Sequence, residues 1–236
     1  MIVVKLGILS DIHGNCGALQ AVLDVAFAVG VERLLVGGDL VGYYFSPKAV
    51  LDLLQPWQKD MVRGNHEEML HRSRFDPEFL LMVGRRYGSG IDEAIEQLSI
   101  SEIDTLCGLP HPLPLEFDGR KILLCHGAPH DVDCYVYPDS DLAALDAAAL
   151  TEFDLVVTGH THYPMRRVLG EKTLLVNPGS VGQPRDRRPG AHWALYDTAS
   201  GDVSFHCERY DYAPLQAEAR RRHPELPYLA DVLGRT

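Results

Sequence analysis

The chain has 236 residues, 46% of them hydrophobic, which suffices for a large core in one α/β domain or two small ones. Its formal net charge of −11 argues against binding long nucleic acid through broad electrostatics, without excluding a local basic pocket. No apolar run approaches membrane-spanning length, no signal peptide is evident, and five scattered cysteines without CxxC spacing suit a reducing cytoplasm.

The apolar run Ile2 to Leu9 reads as a buried strand, and Cys16 to Val29 carries the apolar spacing of one helix face. Between them lies Ser10-Asp11-Ile12-His13-Gly14-Asn15, which puts a carboxylate and an imidazole where a strand hands over to a helix. Asn15 is placed to cap that helix. Arg33 to Gly37 is a second short strand, ending in Gly38-Asp39. Ser46-Pro47 starts a helix that stops before Pro56, and Lys59 to Arg63 is a third strand, followed by Gly64-Asn65-His66-Glu67. This alternation predicts a parallel sheet with crossover helices.

From about residue 68 to 109 the pattern is helical, with Tyr87, Ile91, Ala94, Ile95 and Leu98 as an apolar face. Ser101 to Asp104 has the form of a capping box, and Asp76-Pro77 and Gly88-Ser89-Gly90 are breaks. We read this stretch as an insertion into one domain spanning 1–236, lying over a site as a lid or forming a dimer contact. His111 to Phe117, rich in proline, reads as an edge strand. Arg120 to Cys125 is a strand leading into His126-Gly127; Asp141 to Leu150 is an alanine-rich helix; Asp154 to Thr158 is a strand leading into Gly159-His160-Thr161-His162. Four short strands follow (Met165–Leu169, Lys172–Asn177, His192–Asp197 and Val203–Tyr210), suggesting a mostly antiparallel second half. Ala213 to His223 reads as a charged surface helix, with one more helical turn after it.

Five strand ends thus carry Asp11/His13, Asp39, Asn65/His66, His126 and His160/His162. Such a mixture of carboxylate, imidazole and carboxamide suits borderline divalent metals: Mn, Fe, Zn, Co or Ni. Two metals roughly 3.5–4 Å apart can clamp the attacking and leaving oxygens of an in-line displacement. His130 reads as a loop residue, and His71, His111, His192, His206 and His223 as solvated or packed. Arg185, Arg187 and Arg188 read first as a solvated loop, with Arg185 the candidate for holding a substrate phosphate. Tyr43, Tyr44 and Phe45 read as core or pocket wall.

The ordered set DxH, GD, GNH, HG and GHTH, from Asp11 to about Arg188, resembles the calcineurin-like metallophosphoesterase superfamily. Asn177-Pro178-Gly179-Ser180-Val181-Gly182-Gln183-Pro184-Arg185-Asp186 is similar to its small single-domain bacterial and archaeal phosphoesterases. The resemblance implies a four-layer αββα sandwich, two mixed β-sheets flanked by helices, with a metal pair at strand ends. It implies that Asp11, His13 and His162 hold one ion, Asn65, His126 and His160 the other, and that Asp39 bridges them. His66 would be the non-ligand acid beside the scissile ester. Gly38-Asp39 runs on into Leu40-Val41-Gly42-Tyr43, without the Asp and Arg of the family's protein phosphatases, which argues against phosphoprotein substrates. The expected enzyme is a cytoplasmic, dinuclear metal-dependent phosphoesterase, manganese favoured, in which bridging hydroxide attacks a small phosphomonoester or phosphodiester that is open to being nucleotide-like. A nuclease and a non-catalytic scaffold are the alternatives, and a homo-oligomer is left open.

Overall fold

The computed structural model describes residues 4–141, 145 and 150–236, so most of the helix expected over Asp141 to Leu150 lies outside the described residues. Strands β1 (Lys5–Leu9), β2 (Arg33–Val36) and β3 (Lys59–Met61) pair in parallel, as the strand–helix–strand alternation predicts, with α1 (Cys16–Ala28) and α2 (Pro47–Leu54) as crossovers. Strands β9 (Ala191–Asp197) and β10 (Val203–Glu208) complete this first sheet in the order β10-β9-β1-β2-β3. The second sheet runs β4-β5-β6-β8-β7, from β4 (Leu113–Phe117), β5 (Arg120–Leu124), β6 (Leu155–Val157), β7 (Met165–Leu169) and β8 (Thr173–Asn177). The proline-bearing β4 is an edge, where its missing N–H costs no ladder bond. Pairing in the second half is antiparallel between β7 and β8, β9 and β10, and β9 and β1. The exception is β8, which also lies parallel to β6, because the β7–β8 hairpin attaches through its second strand.

The period-two alternation of side chains decides the layers. Leu6, Ile8 and Leu35 of the first sheet meet Ile122, Leu124, Leu155, Val157 and Val176 of the second in a shared core. The intervening residues face outward: Leu9, Leu34 and Val36 pack against α1 and α2, and Leu123, Val156 and Leu175 against a separate outer cluster. Two mixed sheets face to face with helices outside them form the expected αββα sandwich.

The helical stretch resolves into α3 (Asn65–Ser73), α4 (Pro77–Tyr87), α5 (Gly90–Gln97) and α6 (Ile100–Cys107). The capping box of α6 sits two residues earlier than the sequence suggested. Ser99, not Ser101, is the N-cap: its Oγ accepts from the Glu102 N–H at 3.2 Å, and Glu102 accepts from the Ser99 N–H at 2.8 Å. Helix α7 (Ala213–Arg222) and the short α8 (Tyr228–Asp231) are more than surface decoration. Leu229, Ala230, Val232 and Leu233 bury Tyr43, Tyr44 and Phe45 in a fourth cluster, and the Tyr44 hydroxyl donates to the Leu229 carbonyl at 2.9 Å. Arg222 ties this segment to Glu93 of α5.

Candidate metal centre

The strand ends converge at one edge of the sandwich. Asp11, His13 and His162 present ligand atoms within 4.8 Å of one another; so do Asp39, His126 and His160, and so do His13, Asp39 and His66. Asn65 joins through its Oδ1, 3.0 Å from His126 Nε2. All eight predicted site residues from the strand ends are therefore in one buried constellation. The backbone is bent to put them there. Asp11, His13, Asp39, His160 and His162 hold φ between 52° and 65°, a left-handed conformation that costs a non-glycine residue of order 1–3 kcal/mol. They make up five of the eight non-glycine residues with positive φ among the described residues, so the strain is concentrated at this spot.

The histidine tautomers follow from their partners. Nδ1 of His13 meets the Val41 carbonyl at 3.1 Å, Nδ1 of His126 the Gly37 carbonyl at 2.7 Å, and Nδ1 of His162 the Gln183 carbonyl at 2.6 Å. A carbonyl oxygen only accepts, so each Nδ1 carries the proton and donates. In the neutral ring Nε2 is left with a lone pair aimed inward. His13 Nε2 and His162 Nε2 are 3.1 Å apart, and burial first, then neighbouring imidazoles, pushes the pKa of His13 well down. Burial and Arg185 lower His162 as well. Two lone pairs so close repel unless a cation lies between them. The carboxylates fit the same reading: Asp11 Oδ1 is 3.3 Å from His162 Nε2, and Asp39 Oδ2 is 3.2 Å from His126 Nε2 and 3.7 Å from His13 Nε2. Burial would raise both carboxyls, yet the facing imidazoles hold Asp11 and Asp39 below the usual carboxylate range. For His126 burial alone would lower the pKa, but the Asp39 carboxylate overrides it and brings it to about 10. Nε2 of His160 is buried without a hydrogen-bond partner, 3.5 Å from an oxygen of Asp133. Oxygen and nitrogen donors of this number and mixture fit divalent transition metals.

His66 stands apart from the others. Its backbone N–H donates to Asp39 Oδ1 at 2.8 Å, while its Nδ1 is buried with no partner. The ring packs edge-on against His13 and Tyr87 and tilted against Tyr43. Gly42 makes room for it: a Cβ there would lie 1.9 Å from His66 Nδ1, and φ is +88°. Burial lowers the His66 pKa to about 4, with Asp39 pulling the other way.

Arg185 turns inward, unlike the exposed Arg187 and Arg188 of the same loop. Its guanidinium donates to the Tyr43 hydroxyl at 3.0 Å and to Gln183 Oε1 at 2.9 Å. Tyr43 is thus pocket wall, and Tyr44 and Phe45 are core. His130 is exposed in its loop, as expected.

The sequence reading missed Glu67. Its fully buried carboxylate accepts from the backbone N–H groups of Asp39, Gly64, Leu40 and, at 3.4 Å, Val41. Burial and the Asp39 charge push its pKa up to about 7, and the backbone donors restrain the rise. Gly64 as N-cap and an acid three residues on was the available signal. The NPGS stretch also has a mechanical task. Asn177 Nδ2 donates to the Gly159 carbonyl at 2.7 Å, and Ser180 Oγ donates to the Asp11 carbonyl at 2.7 Å, locking the turns that carry His160 and Asp11 to the end of β8.

Comparison with known proteins follows the same lines. The model of the calcineurin-like phosphoesterase superfamily domain matches residues 4–201. An uncharacterized protein of Methanocaldococcus jannaschii, MJ0912, is 27% identical over 89% of this chain and 90% of its own length. Phosphodiesterase YfcE of Escherichia coli is 25% identical over 81% of this chain and 87% of its own. The crystal structure of a metallophosphoesterase from Sphaerobacter thermophilus superposes with a TM-score of 0.77 at 27% identity, covering 99% of both chains.

Proposed function

We propose, from the premise that this chain belongs to the calcineurin-like phosphoesterase superfamily, that it hydrolyses a small phosphate ester at a centre of two divalent ions. Membership makes it a metal-dependent phosphoric ester hydrolase; the ion count, the residue roles and the substrate size are our reading. The observation that carries it is the convergence of imidazole Nε2 atoms, proton-free in neutral His13 and His162, on two carboxylates at one buried point. Asp11, His13 and His162 would hold one ion, Asn65, His126 and His160 the other, with Asp39 shared. When bound, such a pair acidifies water and neutralises charge on the transferring phosphoryl group. The chain's own residues do the rest. Arg185, fixed by Tyr43 and Gln183, offers its remaining N–H donors to a phosphate oxygen. His66 donates a proton to the departing ester oxygen. Its pKa is low without substrate, and an anionic phosphate beside the ring raises it. The strained turns hold these groups in place before substrate arrives.

The acidic surface favours a small substrate over a polymer, and manganese is our choice of metal. No helix among the described residues is long and apolar enough to cross a membrane, and the five cysteines are unpaired, which is compatible with a cytoplasmic protein. The test is metal analysis of purified protein with a panel of phosphate esters. About two ions per chain and chelator-sensitive turnover of small esters are expected. Efficient cutting of long DNA or RNA with steep salt dependence would favour a nuclease; bound metal without turnover of any ester would favour a scaffold.

A further inference from the structure

Beside the metal cluster stands a pair of exposed aromatic rings that this chemistry does not use. Tyr135 and Tyr137 are 49% and 38% exposed, and their rings stack with centroids 5.7 Å apart and planes 13° from parallel. Between them in sequence, Val136 is buried in the outer core of the second sheet. Val136 is thus anchored inside while both of its tyrosine neighbours stay exposed. The loop is braced as well. The Tyr137 N–H donates to Ser140 Oγ at 2.9 Å, and the Ser140 carbonyl accepts from Arg167 at 2.6 Å. Two large rings held open to water on a braced loop forgo burial that would otherwise stabilise the fold.

Their position gives the exposure a purpose. The Tyr135 ring lies 4.1 Å from that of His160, one of the residues of the metal cluster. The His160 ring in turn lies 5.1 Å from that of His126, so Tyr135 borders the buried constellation. We propose that Tyr135 and Tyr137 form a stacking platform for a planar aromatic ring, of nucleobase size, carried by the phosphate ester. The inference rests on the phosphoesterase reading above and specifies the part of the substrate that this reading left open. Stacking suits the surroundings. A neutral base is not repelled by the acidic surface, every base has a π-face, and two-torsion tyrosines lose little freedom when one settles on them.

The experiment compares two probes with the same phosphorylated primary hydroxyl, differing in the base: adenosine 5′-monophosphate and ribose 5-phosphate. Calorimetric titration of the manganese-loaded full chain should show the nucleotide bound about 5–150-fold more tightly, the range that one base-on-aromatic contact supplies. Tyr135→Ala should remove that advantage while leaving ribose 5-phosphate affinity unchanged, and Tyr135→Phe should keep it. Equal affinity of the parent protein for the two probes, binding of neither, or equal weakening of both in Tyr135→Ala would overturn the proposal. Failure to hydrolyse any ester would instead remove the hydrolase reading, and the binding comparison would still report on the platform.

Discussion

Replacing Glu67 by glutamine would change one atom's chemistry and almost no volume, which makes it a sharp test of how the turn carrying Asp39 is held. In the native arrangement Oε1 accepts from Leu40 at 2.8 Å and Val41 at 3.4 Å, and Oε2 from Asp39 at 2.9 Å and Gly64 at 2.7 Å. A carboxamide keeps only one acceptor oxygen. Whichever way it is flipped, its NH₂ faces two buried N–H donors. An unsatisfied buried group costs about 1–3 kcal/mol, so two of them cost about 2–6 kcal/mol. At a central value near 4 kcal/mol, a chain of this size should lose about 8–16 °C in Tm. The same turn holds Asp39 at φ 55°, so manganese affinity should fall as well, by about 10–100-fold, the usual effect of removing a group that orients a ligand. Thermal unfolding with and without metal, and a metal titration, measure both. Glu68→Gln is the control: Glu68 is exposed and pairs with Arg63 at the surface, a contact worth roughly 0–1 kcal/mol. If Glu67→Gln melts with the parent and binds manganese as tightly, the idea that this carboxylate holds the turn is wrong.

Two other expectations follow from particular side chains. His66→Ala should slow esters with alkoxide leaving groups by about 10²–10⁴-fold and p-nitrophenyl esters far less, with metal content preserved; equal slowing of both classes, or lost metal, would show that His66 is not the acid. His111 lies outside the cluster, and burial lowers its pKa from 6.5 to about 4, so between those pH values the unfolded chain binds a proton that the folded chain does not. Stability should therefore fall as pH drops through that window, and His111→Gln, read by urea midpoints at pH 7 and pH 4.5, should lose less; an unchanged pH dependence would contradict it.

The strand ends were legible because each pairs a short apolar run with a glycine and a metal-competent side chain, and both patterns are local. The layer order came from the resemblance alone: the run Ile2 to Leu9 is apolar on both faces, so the chain by itself does not say which of Leu6 and Leu9 meets the other sheet. What escaped depends on partners distant in sequence. Glu67 was given no role, because its donors at Asp39 to Val41 come from another strand end. Arg185 was the phosphate candidate of its loop, but its inward turn, which Arg187 and Arg188 do not share, rests on Tyr43, 142 residues earlier. Helix α7 looked like a solvated face because it carries three arginines in its last turn, yet Ala219 and the segment after it cover Tyr44. Tyr135 and Tyr137 lie in a loop, where no periodicity announces which side faces a site.

The dependence of Tyr43, Tyr44 and Phe45 on residues 229–233 bears on the order in which the protein is made. Synthesis delivers residues 4–201, the whole span of the family match, before the segment that covers this trio exists. During that interval the sandwich can form and the strand-end turns can close, but an aromatic face next to His66 stays open to solvent and to chaperones. The pocket wall is therefore finished late, and a released chain ending near residue 210, just after β10, should be compact yet still bind a hydrophobic dye that the complete protein rejects.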